Sequence, residues 1–252
     1  MSRNGQFVVV SYDSPSRIET YEIPTTSPTG GSVAVQAVGS QNLGVTNFDI
    51  SYDGKVMVTH TGSNALIYMW NGIEWKQFGQ TISTGVSGTI VSVAISEYAE
   101  YFVVASNAQI KVYKLNNVYE QYGTTINGDF GSSGHKISIS KTGDKVVLGN
   151  SQIPMTSDGR AYVYSLFDGK IWTIVEDLIG SGHLGKYVRI SNNGDKIVLG
   201  SDTQLSVKTS GVVNTSTGWK QRGNTISTPE TNDGFGRSLS LSNDGTYLAI
   251  GI

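Results

Sequence analysis

Ser238-Leu-Ser-Leu-Ser-Asn-Asp-Gly-Thr-Tyr-Leu-Ala-Ile-Gly251 reads as two short β-strands joined by a tight Asn-Asp-Gly turn. Apolar residues alternate with small polar ones, and the turn residues accept the positive backbone angles that a hairpin needs. Variants recur along the chain as Ser2-Arg-Asn-Gly-Gln-Phe-Val-Val-Val, Ser51-Tyr-Asp-Gly-Lys-Val-Met-Val, Ser96-Glu-Tyr-Ala-Glu-Tyr-Phe-Val-Val, Ser140-Lys-Thr-Gly-Asp-Lys-Val-Val-Leu-Gly and Ser191-Asn-Asn-Gly-Asp-Lys-Ile-Val-Leu-Gly. The copies are spaced by about 44 to 51 residues, the period of an array of small supersecondary units.

Working outward from each hairpin, alternation predicts four strands per unit. In the second unit they cover 46–51, 55–59, 65–70 and 75–82; in the third 89–96, 101–106, 109–115 and 119–126. In the fourth they cover 136–140, 145–149, 160–166 and 170–179; in the fifth 187–191, 196–200, 205–213 and 219–226. The N-terminal unit supplies strands at 6–11, 17–23 and 32–38, and the chain closes on 238–242 and 247–252. Four strands per repeat predict an all-β fold: a β-propeller of four-stranded blades, with about five repeats and a terminal hairpin. The expected organisation is one domain over 1–252, with units at 1–45, 46–88, 89–134, 135–185 and 186–236 and the hairpin at 237–252. Counting strands leaves one second strand over. The expectation is therefore a sixth, unfinished blade and an open ring, the alternative being a five-bladed ring that closes with either 6–11 or 246–252 displaced; direct pairing of 237–242 with 6–11 would refute the open ring.

Composition fits many short strands. Gly is high at 31 residues and charged residues make up only 15%. The 18 basic and 20 acidic residues are scattered, so no basic stripe is available for phosphates, and nucleic acid is not an expected partner. No apolar run has the length of a membrane span, so no membrane insertion is expected, and the N-terminus passes into Phe7-Val8-Val9-Val10 without a signal-peptide pattern. There is no Cys, which removes disulfides, thiolate metal sites and Cys nucleophiles.

The fourth strands carry a second repeat: Trp75-Lys-Gln-Phe-Gly-Gln-Thr-Ile82, Tyr119-Glu-Gln-Tyr-Gly-Thr-Thr-Ile126 and Trp219-Lys-Gln-Arg-Gly-Asn-Thr-Ile226. The fourth unit departs from it with Trp172-Thr-Ile-Val-Glu. Loops between units end in Gly44, Gly88, Gly134, Gly185 and Gly236, where glycine lets the chain turn from the edge of one blade to the centre of the next. Asp233-Gly-Phe-Gly-Arg-Ser-Leu-Ser-Leu-Ser-Asn-Asp-Gly-Thr-Tyr-Leu-Ala-Ile-Gly251, together with the Trp-x-Gln-x-Gly strands, resembles the FG-GAP-like propeller repeats, related in architecture to the head of integrin α chains. The WD40 architecture is similar, without its Trp-Asp motif. Phe-Gly stands in register only at Phe235-Gly236, becoming Leu184-Gly185 one unit earlier and falling too early at Phe130-Gly131. The calcium loops of that family are not carried over, because a turn of about four residues is too short to supply a cation's six to eight oxygens.

Candidate chemistry is sparse. Asp53 and Asp244 occupy turns that need Asp for their own geometry. Ser51-Tyr-Asp-Gly lacks a spacer and the Trp of a sialidase Asp-box, and Arg189 in Tyr187-Val-Arg-Ile190 only loosely echoes the arginine of those enzymes; a core or channel position is expected for it. His60, His135 and His183 sit at different places in their repeats, without ligand spacing. No Gly-x-Ser-x-Gly elbow or phosphate loop is present. Trp70, Trp75, Tyr119, Trp172 and Trp219 could stack on sugars, but their regular placement favours packing between blades. The expectation is no catalytic, cofactor-binding or metal residue, no cofactor, and no enzyme. The chain is read as a binding or scaffold module for a protein partner through loops 24–31, 152–159 and 228–233. Alternatives are a lectin-like glycan binder and, less favoured, a sialidase-type hydrolase.

Overall fold

The computed structural model describes residues 1–13, 16–24, 37–45, 47–130, 136–150, 159–180, 184–201, 204–210, 218–227 and 238–251. Among them every regular element is a β-strand, and the strands build five antiparallel sheets arranged as a five-blade β-propeller, followed by a two-stranded hairpin. Blade 1 holds β1 (Phe7–Asp13), β2 (Ser16–Glu22) and β3 (Ala37–Gln41). Blade 2 holds β4 (Phe48–Ile50), β5 (Val56–Thr61), β6 (Asn64–Trp70), β7 (Trp75–Gln77) and β8 (Ile82–Ser83). Blade 3 holds β9 (Ile90–Ile95), β10 (Tyr101–Ser106), β11 (Gln109–Asn116), β12 (Val118–Gln121) and β13 (Ile126–Asn127). Blade 4 holds β14 (Lys136–Ile139), β15 (Lys145–Asn150), β16 (Gly159–Phe167) and β17 (Ile171–Gly180). Blade 5 holds β18 (Tyr187–Ile190), β19 (Lys196–Gly200), β20 (Gln204–Ser210), β21 (Trp219–Gln221) and β22 (Ile226–Ser227), and the hairpin is β23 (Ser238–Leu241) with β24 (Leu248–Gly251).

Each repeated Ser does the same task. Its hydroxyl oxygen accepts the backbone N–H five residues on: from Phe7 at 2.8 Å, Val56 at 3.0, Tyr101 at 2.9, Lys145 at 3.1, Lys196 at 3.0 and Tyr247 at 2.9 Å. In four of the turns the hydroxyl donates to the Asn or Asp two positions on, as Ser51 does to Asp53 at 2.6 Å and Ser242 to Asp244 at 2.8 Å, whereas Ser140 donates to Asp144 at 2.9 Å. The motif is thus a side-chain-locked turn, and the fourth residue takes a left-handed backbone: φ is +71° at Gly54, +67° at Gly143 and +69° at Gly194. Ala99 stands in this position in blade 3 at φ +59°.

The three expected fourth strands at 75–82, 119–126 and 219–226 are not continuous. Each breaks at a left-handed glycine, Gly79, Gly123 or Gly223, into two short pieces that both pair with the third strand. The repeated Gln and Thr fasten the break: Gln121 Nε2 donates to the Gly123 carbonyl at 3.0 Å and to Thr125 Oγ1 at 3.3 Å, and Gln77 and Gln221 repeat both contacts. Blade 4 lacks this motif, and its outer strand β17 runs unbroken for ten residues.

Core lies between blades rather than within one. Val9, Ile18, Met57 and Trp75 join blades 1 and 2; Val58, Ile67, Phe102 and Val104 join 2 and 3; Val103, Ile137, Leu148 and Trp172 join 3 and 4; Val147, Val163, Ile197 and Leu199 join 4 and 5. Second strands are therefore buried on both faces, which is why they read as unbroken apolar runs. The terminal hairpin packs Leu239 and Leu241 on Val198 and Leu205 of blade 5. β23 takes β24 as its partner and β1 takes β2, so the direct pairing of 237–242 with 6–11 is not formed among the described residues.

Candidate binding surfaces

The first strand of each repeat faces the central channel, and side chains two and four residues before the repeated Ser point inward by strand alternation. They include Asn47 and Asp49 on blade 2, Ser92 on blade 3, Lys136 and Ser138 on blade 4, and Tyr187 and Arg189 on blade 5. First strands do not pair with one another, so their inner edges need other partners, and polar side chains supply them in one direction around the ring. Asn47 Nδ2 donates to the Val91 carbonyl at 3.0 Å, and Asp49 Oδ2 accepts Ile95 N–H at 3.0 Å. Ser92 Oγ accepts Ile137 N–H and Ser138 Oγ accepts Ile190 N–H, each at 3.2 Å. The channel holds a cavity of about 140 Å3 lined by all five first strands, β4, β9, β14, β18 and β23. A second cavity of about 290 Å3 shares Phe48, Asp49, Arg189 and Leu239 with it and reaches Arg3 and the terminal hairpin.

The locked turns meet at one end of the channel. Asn4 N–H donates to the Tyr52 carbonyl at 3.1 Å, Tyr52 to Glu97 at 2.8 Å, Lys141 to Asn192 at 3.0 Å and Asn192 to Asn243 at 3.0 Å. Glu97 and Lys141 close the remaining step as an ion pair at 3.2 Å, and Asn243 Nδ2 reaches Glu97 Oε1 at 3.0 Å. Arg3 donates to Asn192 Oδ1 at 2.5 Å, and burial holds its guanidinium below the usual value while Asp49 opposes the shift.

Arg189 lines the channel, as expected for it. The turn carboxylates are engaged in their turns: Asp244 accepts from Thr246 N–H at 3.0 Å and Thr246 Oγ1 at 2.7 Å, and these bonds lower its pKa to about 2. His60 lies on β5, half-buried, with its pKa lowered by burial; His135 and His183 lie outside the described residues. Trp75 and Trp172 are seated between blades, Trp75 Nε1 donating to Thr20 Oγ1 at 2.8 Å and Trp172 Nε1 to the Tyr122 carbonyl at 3.1 Å. The Tyr119 hydroxyl donates to the Ala99 carbonyl, and Trp219 packs at the junction of blades 4 and 5. Gly44, Gly88 and Gly185 have φ of +62°, +81° and +105°, the left-handed backbone expected of them. Gly134, Gly236, the Phe235-Gly236 pair and almost all of loops 24–31, 152–159 and 228–233 lie outside the described residues.

The unbroken β17 is the other distinctive surface. A bulge at Val175 switches its alternation: Trp172 packs toward blade 3, whereas Glu176 and Leu178, also even-numbered, face blade 5. Its two carboxylates are engaged, Glu176 by the Trp219 N–H at 3.4 Å and Asp177 by Arg160 at 3.2 Å. Ile171, Ile174, Val175 and Ile179 remain 48 to 59% exposed along the edge, with Phe167 of β16 beside them at 66%. No sheet partner covers this edge among the described residues. The signal in the sequence was the missing Gln and Gly of the fourth-strand motif. Lys136 and Arg189 were equally recoverable by aligning repeats on the Ser and counting back by two and four.

No protein-family model and no curated protein matches the chain. Among solved structures, a protein of unknown function from Desulfotomaculum acetoxidans superposes with a TM-score of 0.66 at 15% identity, over 98% of this chain and 76% of that one. Two provisionally named 6-phosphogluconolactonases are also similar. The one from Bacteroides fragilis has a TM-score of 0.61 at 11% identity, over 89% of this chain and 68% of that one. The one from Bacteroides uniformis has a TM-score of 0.59 at 10% identity, over 89% and 69%. At these identities the likeness is one of fold. It corrects the expectation that the chain is not an enzyme, since the same ring carries proteins named as enzymes. The physical reason is that a propeller's chemistry resides in side chains grafted onto channel and loops, so hydrolase motifs missing from the repeat do not decide whether the ring catalyses a reaction.

Proposed function

We propose that this propeller is a binding module that docks a protein partner along the outer strand of blade 4. The observation supporting the reading is the unbroken β17 with Ile171, Ile174, Val175 and Ile179 exposed on an unpaired sheet edge. An open edge offers main-chain hydrogen bonds to an added strand, and apolar side chains flanking it add burial. Blades 2, 3 and 5 blunt the same edge with a left-handed glycine after three or four residues, which makes blade 4 the exception. The resemblance of the fourth strands to FG-GAP-like repeats agrees with a binding role.

A photo-crosslinking residue placed at Ile174 or Ile179, and at exposed Val118 on β12 as control, tests the reading in native extract. The expected outcome is one adduct of discrete mass from both blade 4 positions, absent at Val118 and suppressed by Val175→Lys. The same adduct at Val118, or none at either blade 4 position, would overturn it.

A further inference from the structure

Neighbouring first strands bring two cations to one cavity. Lys136 opens β14 and Arg189 lies on β18; both line the cavity of about 140 Å3, and Arg189 also lines the one of about 290 Å3 beyond it. The corresponding side chains of blades 2 and 3, Asn47, Asp49 and Ser92, each serve the next first strand. The Lys136 ammonium does not: among the described residues it has no hydrogen-bond or ion-pair partner. Arg189 donates to the Val188 carbonyl at 3.1 Å, which leaves most of its five N–H groups uncommitted.

The carboxylate facing them is Asp49, and one of its oxygens is held by Ile95 N–H. Glu97 is already matched with Lys141 and Asn243, while Arg3 adds a further, half-buried cation from the turn end. The channel is thus rich in positive charge inside a protein of net charge −2. Burial lowers the pKa of Lys136 and the charge of Arg189 lowers it further, as happens where like charges are held close.

We infer that Lys136 and Arg189 bind a small dianionic oxyanion, a phosphate or dicarboxylate group, within the channel. The guanidinium fork grips two oxygens in its plane, and the ammonium meets the group as a point charge from the adjacent strand. The smaller cavity receives the anionic head, and the larger one, entered past Arg189, accommodates the body of a polar metabolite. Removing water from both cations makes the anion their main source of compensation, so binding relieves repulsion as well as forming hydrogen bonds.

Isothermal titration of the full chain with inorganic phosphate, and separately with malonate, at ionic strength held constant with chloride, tests the site. Saturable one-to-one binding of at least one anion is expected, and the stronger arm tells phosphoryl from carboxylate recognition. Lys136→Gln and Arg189→Gln should each weaken it by at least about tenfold, whereas Lys55→Gln in the exposed blade 2 turn should leave it within about twofold. Should a variant fail to fold, backbone amide shifts of the unaltered protein decide: phosphate or malonate should move Ser92, Ile137 and Arg189. Absence of saturable binding, or affinity unchanged in both variants, would overturn the inference.

Discussion

Ala99 shows what a single turn residue costs. Five of the six locked turns use Gly at this position, and only blade 3 places a Cβ there, at φ +59°. Left-handed backbone costs a non-glycine residue roughly 1 to 2 kcal/mol, partly offset here by the burial of the methyl group. Ala99→Gly should raise stability by up to about 1 kcal/mol, measured by urea unfolding. Asp244 tests the turn from the electrostatic side. Its folded pKa, about 2, lies below the unfolded carboxylate value, so its contribution is present above the unfolded pKa and is lost as pH falls through the folded one. An NMR titration of its carboxyl should give a midpoint near 2, and Asp244→Asn, which keeps an acceptor oxygen but removes the charge, should lower stability at neutral pH and make little difference near pH 2, where the wild-type carboxyl is itself protonating. These turns were legible in the sequence because their chemistry is local: Ser, Asp and Gly within four residues contain the whole structure.

Breaks and bulges govern the blade strands, and they were less legible. Trp-x-Gln-x-Gly-x-Thr-Ile alternates well enough to pass for one strand; that Gln reaches over the glycine to its carbonyl and to Thr is a three-dimensional fact. The bulge at Val175 is invisible for a similar reason, since Ile174-Val175 reads as ordinary strand. Gly79 and Gly123 separate the two demands on such a glycine. Both are left-handed, but a Cβ at Gly79 meets nothing within 4 Å, while one at Gly123 would lie 2.7 Å from Leu166 and 2.8 Å from Trp172 of blade 4. Gly79→Ala should cost about 1 to 2 kcal/mol, and Gly123→Ala clearly more, with the excess measuring the blade 3 to blade 4 fit. In the second strands, Val147→Ala or Ile197→Ala should each cost about 1 to 4 kcal/mol by calorimetry, because both side chains are fully buried between blades.

At the scale of the ring, the repeat period made the blade units legible but left five blades and an unfinished sixth both open, and it did not show which channel side chains meet. Lys136 and Arg189 are far apart in sequence and meet only because neighbouring first strands converge on one axis. The terminal hairpin covers Val198 and Leu205, so a chain ending before residue 238 should melt several degrees lower and bind a hydrophobic dye. The unidirectional polar contacts of the first strands bear on how such a ring comes to exist. Asn47, Asp49, Ser92 and Ser138 each address a backbone N–H or carbonyl of the next blade, groups that almost any strand presents. The receiving blade therefore needs no matching side chain, and a duplicated gene segment encoding one unit can insert beside its parent and be gripped at once, before any mutation adapts it.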